Sequence, residues 1–201
     1  MLSERGLPVP DVATVAGFVG LGAAVLIERC LRWAGTDPAR HPDALARFLA
    51  VYEADPVAGT ATLPHAAETL AALAAEGVRL GLCTNKPETP ARAIVAALGL
   101  GPFGAVVGGD TLAARKPDPA PLLAVVDALG ANRDAALYVG DSVVDWRTAR
   151  AGGIAYVHVE GGYQREPIPD LGAERRIADL SRLRDWIAAG GAASFAKDSP
   201  S

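Results

Sequence analysis

The sequence predicts an α/β protein, in which a small all-helical segment precedes a doubly wound sheet of parallel strands with helices on both faces. Three observations carry that prediction. Residues 1–53 show only the three-and-four spacing of apolar residues that marks amphipathic helices. From Leu63 onward, helical stretches alternate with short apolar runs of the kind that form strands buried on both faces. Repeated β-α units of this sort assemble right-handed into a parallel sheet.

In the helical segment, Leu26-Ile27-Cys30-Leu31 and Leu45-Phe48-Leu49-Tyr52 supply the apolar stripes. Gly20-Leu21-Gly22 divides the first helix from the second, and Gly35, Pro38 and Pro42 divide the second from the third. The run 12–27 is punctuated by Thr14, Gly17, Gly20 and Gly22 and falls short of the roughly 20 apolar residues a membrane span needs. It is expected to form two buried helices around a glycine turn. Asp55-Pro56-Val57-Ala58-Gly59 reads as a linker, which sets the expected boundaries at 1–57 for the helical part and 58–190 for the α/β part. In the latter, a helix over 64–76 stopped by Gly77 leads to a strand over 78–83. Helices over 87–98, 119–129 and 143–151 then precede strands over 105–107, 136–139 and 154–159. The Ala-, Gly-, Ser- and Pro-rich tail 191–201 is expected to fray.

The 201 residues are enough to bury a sizeable core. Half are hydrophobic, which excludes intrinsic disorder. A net charge of −4 without any basic run gives no footprint for nucleic acid or an anionic membrane, so small-molecule or protein partners are favoured. Cys30 and Cys83 lie in apolar runs without the paired spacing of a zinc site or disulfide framework, and read as buried thiols in a reducing cytosol. Residues 1–6 lack the apolar core of a secretory signal, so a cytoplasmic protein is expected.

In doubly wound sheets, ligands bind beyond the carboxyl ends of the strands. Thr84-Asn85-Lys86-Pro87 follows the first strand and brings a hydroxyl, an amide and backbone N–H groups to the start of a helix, a phosphate-sized anion site. The alternative is that Thr84 or Asn85 caps the helix that Pro87 opens. Lys116, ahead of the rigid Pro117-Asp118-Pro119 turn, can point inward and neutralise a carboxylate and a transferring phosphoryl group, or else be solvated. In Gly140-Asp141-Ser142-Val143-Val144-Asp145, the first aspartate ends a strand and the second lies one helical turn on. Both can lean toward one magnesium ion, or Asp141 can cap the helix with Asp145 in solvent. An anion cradle, a cation and paired carboxylates at successive strand ends point together to phosphate chemistry.

At these residues the chain resembles a known superfamily. Leu82-Cys83-Thr84-Asn85 resembles the second signature of haloacid dehalogenase-type phosphatases, Lys116-Pro117 the third, and Gly140-Asp141-Ser142 with Asp145 the fourth. Phe18-Val19-Gly20-Leu21-Gly22-Ala23-Ala24-Val25-Leu26-Ile27-Glu28-Arg29, Cys83-Thr84-Asn85-Lys86-Pro87, Gly108-Gly109-Asp110 and Lys116-Pro117-Asp118-Pro119 are similar to the bacterial phosphoglycolate phosphatase family, and the similarity extends to about Leu183. The resemblance implies an α/β core under a helical cap and Mg²⁺-dependent hydrolysis of a small phosphorylated organic acid, 2-phosphoglycolate, to glycolate and phosphate. By the same resemblance Thr84 and the Asn85 amide hold the phosphate, and Lys116 holds the phosphate and the nucleophile. Asp141 ligates magnesium with Asp145 in support, and the turn at Gly20 and Gly22 lies near the organic end of the substrate. Cap closure would exclude bulk water. Glu28, Arg29 and Arg32 either touch substrate or form salt bridges on the helix surface.

The departure from the family lies at the start of the chain. Family members begin with a buried strand ending in Asp-x-Asp-Gly, whose first aspartate attacks phosphorus and whose second is the general acid-base. No such strand is present, and residues 1–6 resemble the end of the first cap helix, a difference of roughly 20–25 residues. Asp11 follows Pro8-Val9-Pro10, which is no core strand. The absent strand is central in the family, between the strands ending at Cys83 and Val139. A gap there is expected to cost as much as several large-to-small core substitutions of about 2–5 kcal/mol each, and to leave no residue to form a covalent phosphoenzyme. Three readings stay open: a phosphatase lacking its first segment, a non-catalytic module that still binds phosphate and Mg²⁺, and a phosphatase scaffold turned to a sugar phosphate.

Overall fold

The computed structural model describes residues 1–162, 167–168, 171–172 and 175–189. The expected tail, 191–201, lies outside them.

The helical part contains α1 (Val12–Ala16), α2 (Ala23–Trp33) and α3 (Ala44–Ala54). The stripe on α2 buries Ile27, Cys30 and Leu31 against Leu2 and Ala44, with Phe18, Leu26, Leu45 and Phe48 around them. This is a small cluster. The expectation of two buried helices holds for α2 and fails for α1, where Val12 is 87% exposed and no residue is fully buried. One and a half turns offer too few apolar positions to line a core, and Leu2 and Phe18 occupy the place instead. Between α1 and α2 the chain turns at Gly20 (φ 125°) and Gly22 (φ 92°), conformations that side-chain-bearing residues rarely adopt.

The remaining elements alternate: α4 (Ala66–Ala75), β1 (Leu80–Cys83), α5 (Glu88–Ala97), β2 (Phe103–Val107), α6 (Ala120–Ala128), β3 (Leu137–Gly140), α7 (Val143–Gly152), β4 (Ala155–Val159), β5 (Arg176–Ile177) and α8 (Leu183–Ala188). β1 starts two residues later than the apolar run suggests, because the N–H of Val78 bonds back to Leu73 and ends the preceding helix. β5 and α8 were not anticipated. A two-residue strand and a six-residue helix are too short to show a period.

Every strand pairing is parallel, β1 with β2 and β3 with β4 and β5. The sheet is nonetheless divided, since β1 and β3 share no ladder. Among the described residues the division lies between the strands ending at Cys83 and Gly140. Side chains hold the halves together. On one face Cys83 and Val107 of the first sheet and Tyr156 of the second join a single apolar cluster with Leu122, Val125 and Val126 of α6 and Val143 and Ala149 of α7. At Gly81 the Val125 side chain fills the space a Cβ would need, so α6 lies directly on β1. On the other face Leu73 of α4 and Leu183 of α8 pack with Val157, Val159 and Ile177. The two-residue alternation along β4 sends Tyr156 to the first cluster and Val157 and Val159 to the second. Among the described residues no helix is long and apolar enough to cross a membrane.

Candidate active site

Thr84 extends β1 by one residue, its N–H bonding to Val107 O at 3.0 Å. Its Oγ1 accepts the N–H of Lys86 at 3.1 Å, which fixes the hydroxyl while leaving its own proton to donate. Neither Thr84 nor Asn85 caps α5. That work falls to Asp110, whose Oδ1 accepts the N–H of Glu88 at 2.8 Å from across the β2 loop. Gly108 and Gly109 make the approach feasible, because backbone atoms of Glu88 and Asn85 occupy the space a Cβ would require at each. The Gly108-Gly109-Asp110 motif is thereby explained as a brace for the phosphate-sized loop.

Asn85 is buried, and its amide is fully engaged within the protein. Nδ2 donates to Gly20 O and to Lys116 O, both at 2.9 Å, and Oδ1 accepts the N–H of Lys116 at 3.0 Å. The side chain joins the turn between α1 and α2 to the turn that carries Lys116.

The Lys116 side chain is 10% exposed, so it is not a solvated turn lysine. Its ammonium donates to Asp145 Oδ1 at 2.7 Å, Tyr138 Oη at 2.9 Å and Cys83 O at 3.2 Å. Asp145 is 5% exposed and also accepts from Ser142 Oγ through Oδ2 at 2.6 Å. Burial pushes the Asp145 carboxyl up, but the Lys116 ammonium and the Ser142 and Tyr138 hydroxyls more than reverse this and hold it below the usual carboxylate value. Burial, with the Asp145 charge beside it, pushes the Tyr138 phenol well above its ordinary value, so it stays protonated. The Cys83 thiol is likewise pushed up by burial. The cap of α7 is Ser142, which accepts the Asp145 N–H at 3.2 Å, so Asp141 does not serve as the helix cap. Its carboxyl instead occupies the space that a Cβ at Gly162 would need.

The sequence-predicted residues converge. Thr84, Asn85, Lys116, Asp141 and Asp145 from the sheet, and Gly20 and Gly22 from the turn, line one cavity of about 380 Å³. That lies toward the lower end of the roughly 300–1,000 Å³ of ligand pockets and suits a small ester. Of the three cap residues left open by the sequence, Glu28 and Arg32 pair with each other at 3.0 Å, whereas Arg29 lines the cavity. Phe48 and Arg147 line it too and were not anticipated. No motif contains them, although Arg147 lies two residues past Asp145 in the first turns of α7. Asp11, set aside as a nucleophile, caps α1 by accepting the Thr14 N–H at 2.7 Å.

Comparison with known proteins agrees with this architecture. A family model described as haloacid dehalogenase-like hydrolase matches residues 3–153. A phosphoglycolate phosphatase of Rhodospirillum rubrum is 50% identical over 193 residues, covering 92% of this chain and 80% of that protein. A phosphoglycolate phosphatase of Cereibacter sphaeroides is 45% identical over 189 residues, covering 92% and 86%. The crystal structure of a predicted phosphoglycolate phosphatase from Haemophilus somnus superposes with a TM-score of 0.83 at 29% identity, covering 92% of this chain and 85% of that one.

Proposed function

The chain belongs to the haloacid dehalogenase-like hydrolase family, and on that premise we propose that its cavity is the phosphate-gripping part of a phosphoglycolate phosphatase site, with 2-phosphoglycolate as the substrate. One observation carries the reading: Thr84, Lys116 and Asp141, from separate loops at the sheet's carboxyl edge, line a single small cavity in which Lys116 is buried and held. In this reading residues 1–57 cover the core formed by 58–190, with the Gly20 and Gly22 turn over the organic end of the ester.

The Thr84 hydroxyl donates to a phosphate oxygen, and the Lys116 ammonium lends positive charge from a position fixed before substrate arrives. Such fixed donors cost no reorganisation when charge develops on the phosphoryl group. Asp145 holds the ammonium in place, and Tyr138 steadies both. The oxygen-only donor set fits magnesium, which takes one or two carboxylates and fills its shell with water and phosphate oxygens. Asp141, at the end of β3, would be the direct ligand, with Asp145, whose oxygens are bonded to Lys116, Tyr138 and Ser142, in support. When bound, the metal would neutralise charge on the transferring group.

Covalent transfer needs a carboxylate free to attack phosphorus. Among the described residues lining the cavity the carboxylates are Asp141 and Asp145; Asp145 is locked, and Asp141 is assigned to the metal. The 201-residue chain is therefore expected to bind without turnover, as a non-catalytic module would. The test is thermal unfolding of the purified chain with inorganic phosphate and Mg²⁺, alongside phosphate release from 2-phosphoglycolate. A midpoint that rises with phosphate concentration, as binding to the folded state demands, and release no faster than background are expected. An unmoved midpoint would sink the pocket assignment, and metal-dependent release would sink the absence of a nucleophile.

A further inference from the structure

We propose that Arg29, reaching into the cavity from α2, reads the carboxylate of the substrate. The inference rests on the phosphate-ester reading above and names what selects the acid. Three other arginines of the helical part pair with acids, Arg5 with Asp43 at 2.7 Å, Arg47 with Glu4 at 2.6 Å and Arg32 with Glu28 at 3.0 Å, and the fourth, Arg40, is exposed. Arg29 has no carboxylate partner among the described residues. Its guanidinium makes one long bond, to Phe18 O at 3.4 Å, although the residue is partly buried.

The sequence explains why. A helical residue meets its neighbours three and four positions away, and for Arg29 these are Val25, Leu26, Arg32 and Trp33. With Ile27, Cys30 and Leu31 fixing the buried face of α2, Arg29 is committed to the cavity. A partly desolvated cation without a counter-ion is costly and is relieved when an anion arrives.

The charges lining the cavity point the same way. Lys116 is matched by Asp145. Lys86 lies over the Tyr52 ring, 4.7 Å from its centroid, and bonds its hydroxyl. Among the described residues lining the cavity, the cations Arg29, Lys86, Lys116 and Arg147 outnumber the acids Asp141 and Asp145, so these residues carry positive charge beyond what their own acids balance. A guanidinium presents paired, parallel N–H donors that match the two oxygens of a carboxylate. A sugar's neutral hydroxyls offer no such match.

Titration calorimetry in Mg²⁺ with 2-phosphoglycolate, with ethyl phosphate, which replaces the carboxylate by a methyl group, and with inorganic phosphate tests the proposal. The unsubstituted chain should prefer 2-phosphoglycolate over ethyl phosphate by roughly 10–100-fold, the span of a charge-assisted hydrogen bond. Arg29→Ala should bring that ratio close to one, and Arg29→Lys, which keeps the charge and loses the fork, should retain part of it. Equal affinities of the unsubstituted chain for both esters overturn the carboxylate site while leaving the phosphate site standing. A preference that survives in Arg29→Ala overturns the assignment to Arg29. Failure to bind any of the three ligands overturns the pocket reading and this inference with it. Should Arg29→Ala not fold by circular dichroism, the ratio in the unsubstituted chain and its change in Arg29→Lys decide the matter.

Discussion

The helical part and the sheet part both contain ion pairs, and they use them in opposite ways. Around α2 and α3 the pairs of Arg5, Arg32 and Arg47 include at least one well-exposed partner, where water and salt weaken them and side-chain freedom competes. Beneath the strand ends Lys116 and Asp145 are shut away from water, and each charge has further hydrogen bonds. A pair of that kind adds little net stability over a well-packed apolar substitute, but breaking it strands a charge. Surface pairs decorate a fold that the Leu2, Ile27 and Leu31 cluster already holds. The buried pair fixes where the Lys116 ammonium sits.

The sharpest way to break this contrast is Lys116→Met, which leaves the Asp145 carboxylate buried without its counter-charge. Destabilisation of about 3–5 kcal/mol and loss of phosphate binding are expected from urea unfolding and calorimetry. Adding Asp145→Leu should restore much of the stability and none of the binding. Recovery of both would show that the pair is not there to serve the phosphate.

Asn85→Ala comes next, because it strips partners from Gly20 O and from the N–H and C=O of Lys116 at a loss of about 1–3 kcal/mol for each group that stays buried. Hydrogen exchange should accelerate at the Lys116 amide, which now bonds Asn85 Oδ1. Unchanged exchange there would show that the Lys116 turn does not depend on the bonds by which Asn85 joins it to the Gly20 turn.

Acidification should act on the sheet part in two stages. His158 is held below its ordinary 6.5 by burial, against the pull of Glu160, and Asp145 below its ordinary 3.8. Both therefore carry fewer protons folded than unfolded. Their contributions are complete above 6.5 and 3.8 respectively and are lost as pH falls through each lower folded value. Thermal melts over roughly pH 8 to 3 should show a first decline below the histidine value and a second below the aspartate value. A flat profile would mean that the polar network is far more open to water than its burial indicates. The smallest effect is expected from Arg47→Ala, whose melting temperature should be indistinguishable from that of the unsubstituted chain, with or without salt.

Much of the site could be read before the fold was known, because its residues sit at strand ends and strand ends are visible as the last letters of apolar runs. Thr84 and Asp141 are candidates on that ground, and Lys116 is one because it precedes the rigid Pro117-Asp118-Pro119 turn. What escaped depends on contacts between segments distant in sequence. Asp110 capping α5 and the Asn85 amide reaching Gly20 span 22 and 65 positions, and no local pattern encodes such distances. Arg29 is an intermediate case: the lack of an acid three or four residues away was legible, but its commitment to the cavity required the packing of α2. The exposure of α1 was misjudged because composition was apolar while length was insufficient.

The division between β1 and β3 has a practical bearing on how this protein behaves in a test tube. Among the described residues each sheet has a margin there whose main-chain groups belong to no ladder, and margins of that sort offer a template to any extended chain that reaches them. Crowding, more than heat, is then the condition that exposes the weakness: turbidity and oligomer content should climb with protein concentration well below the melting temperature.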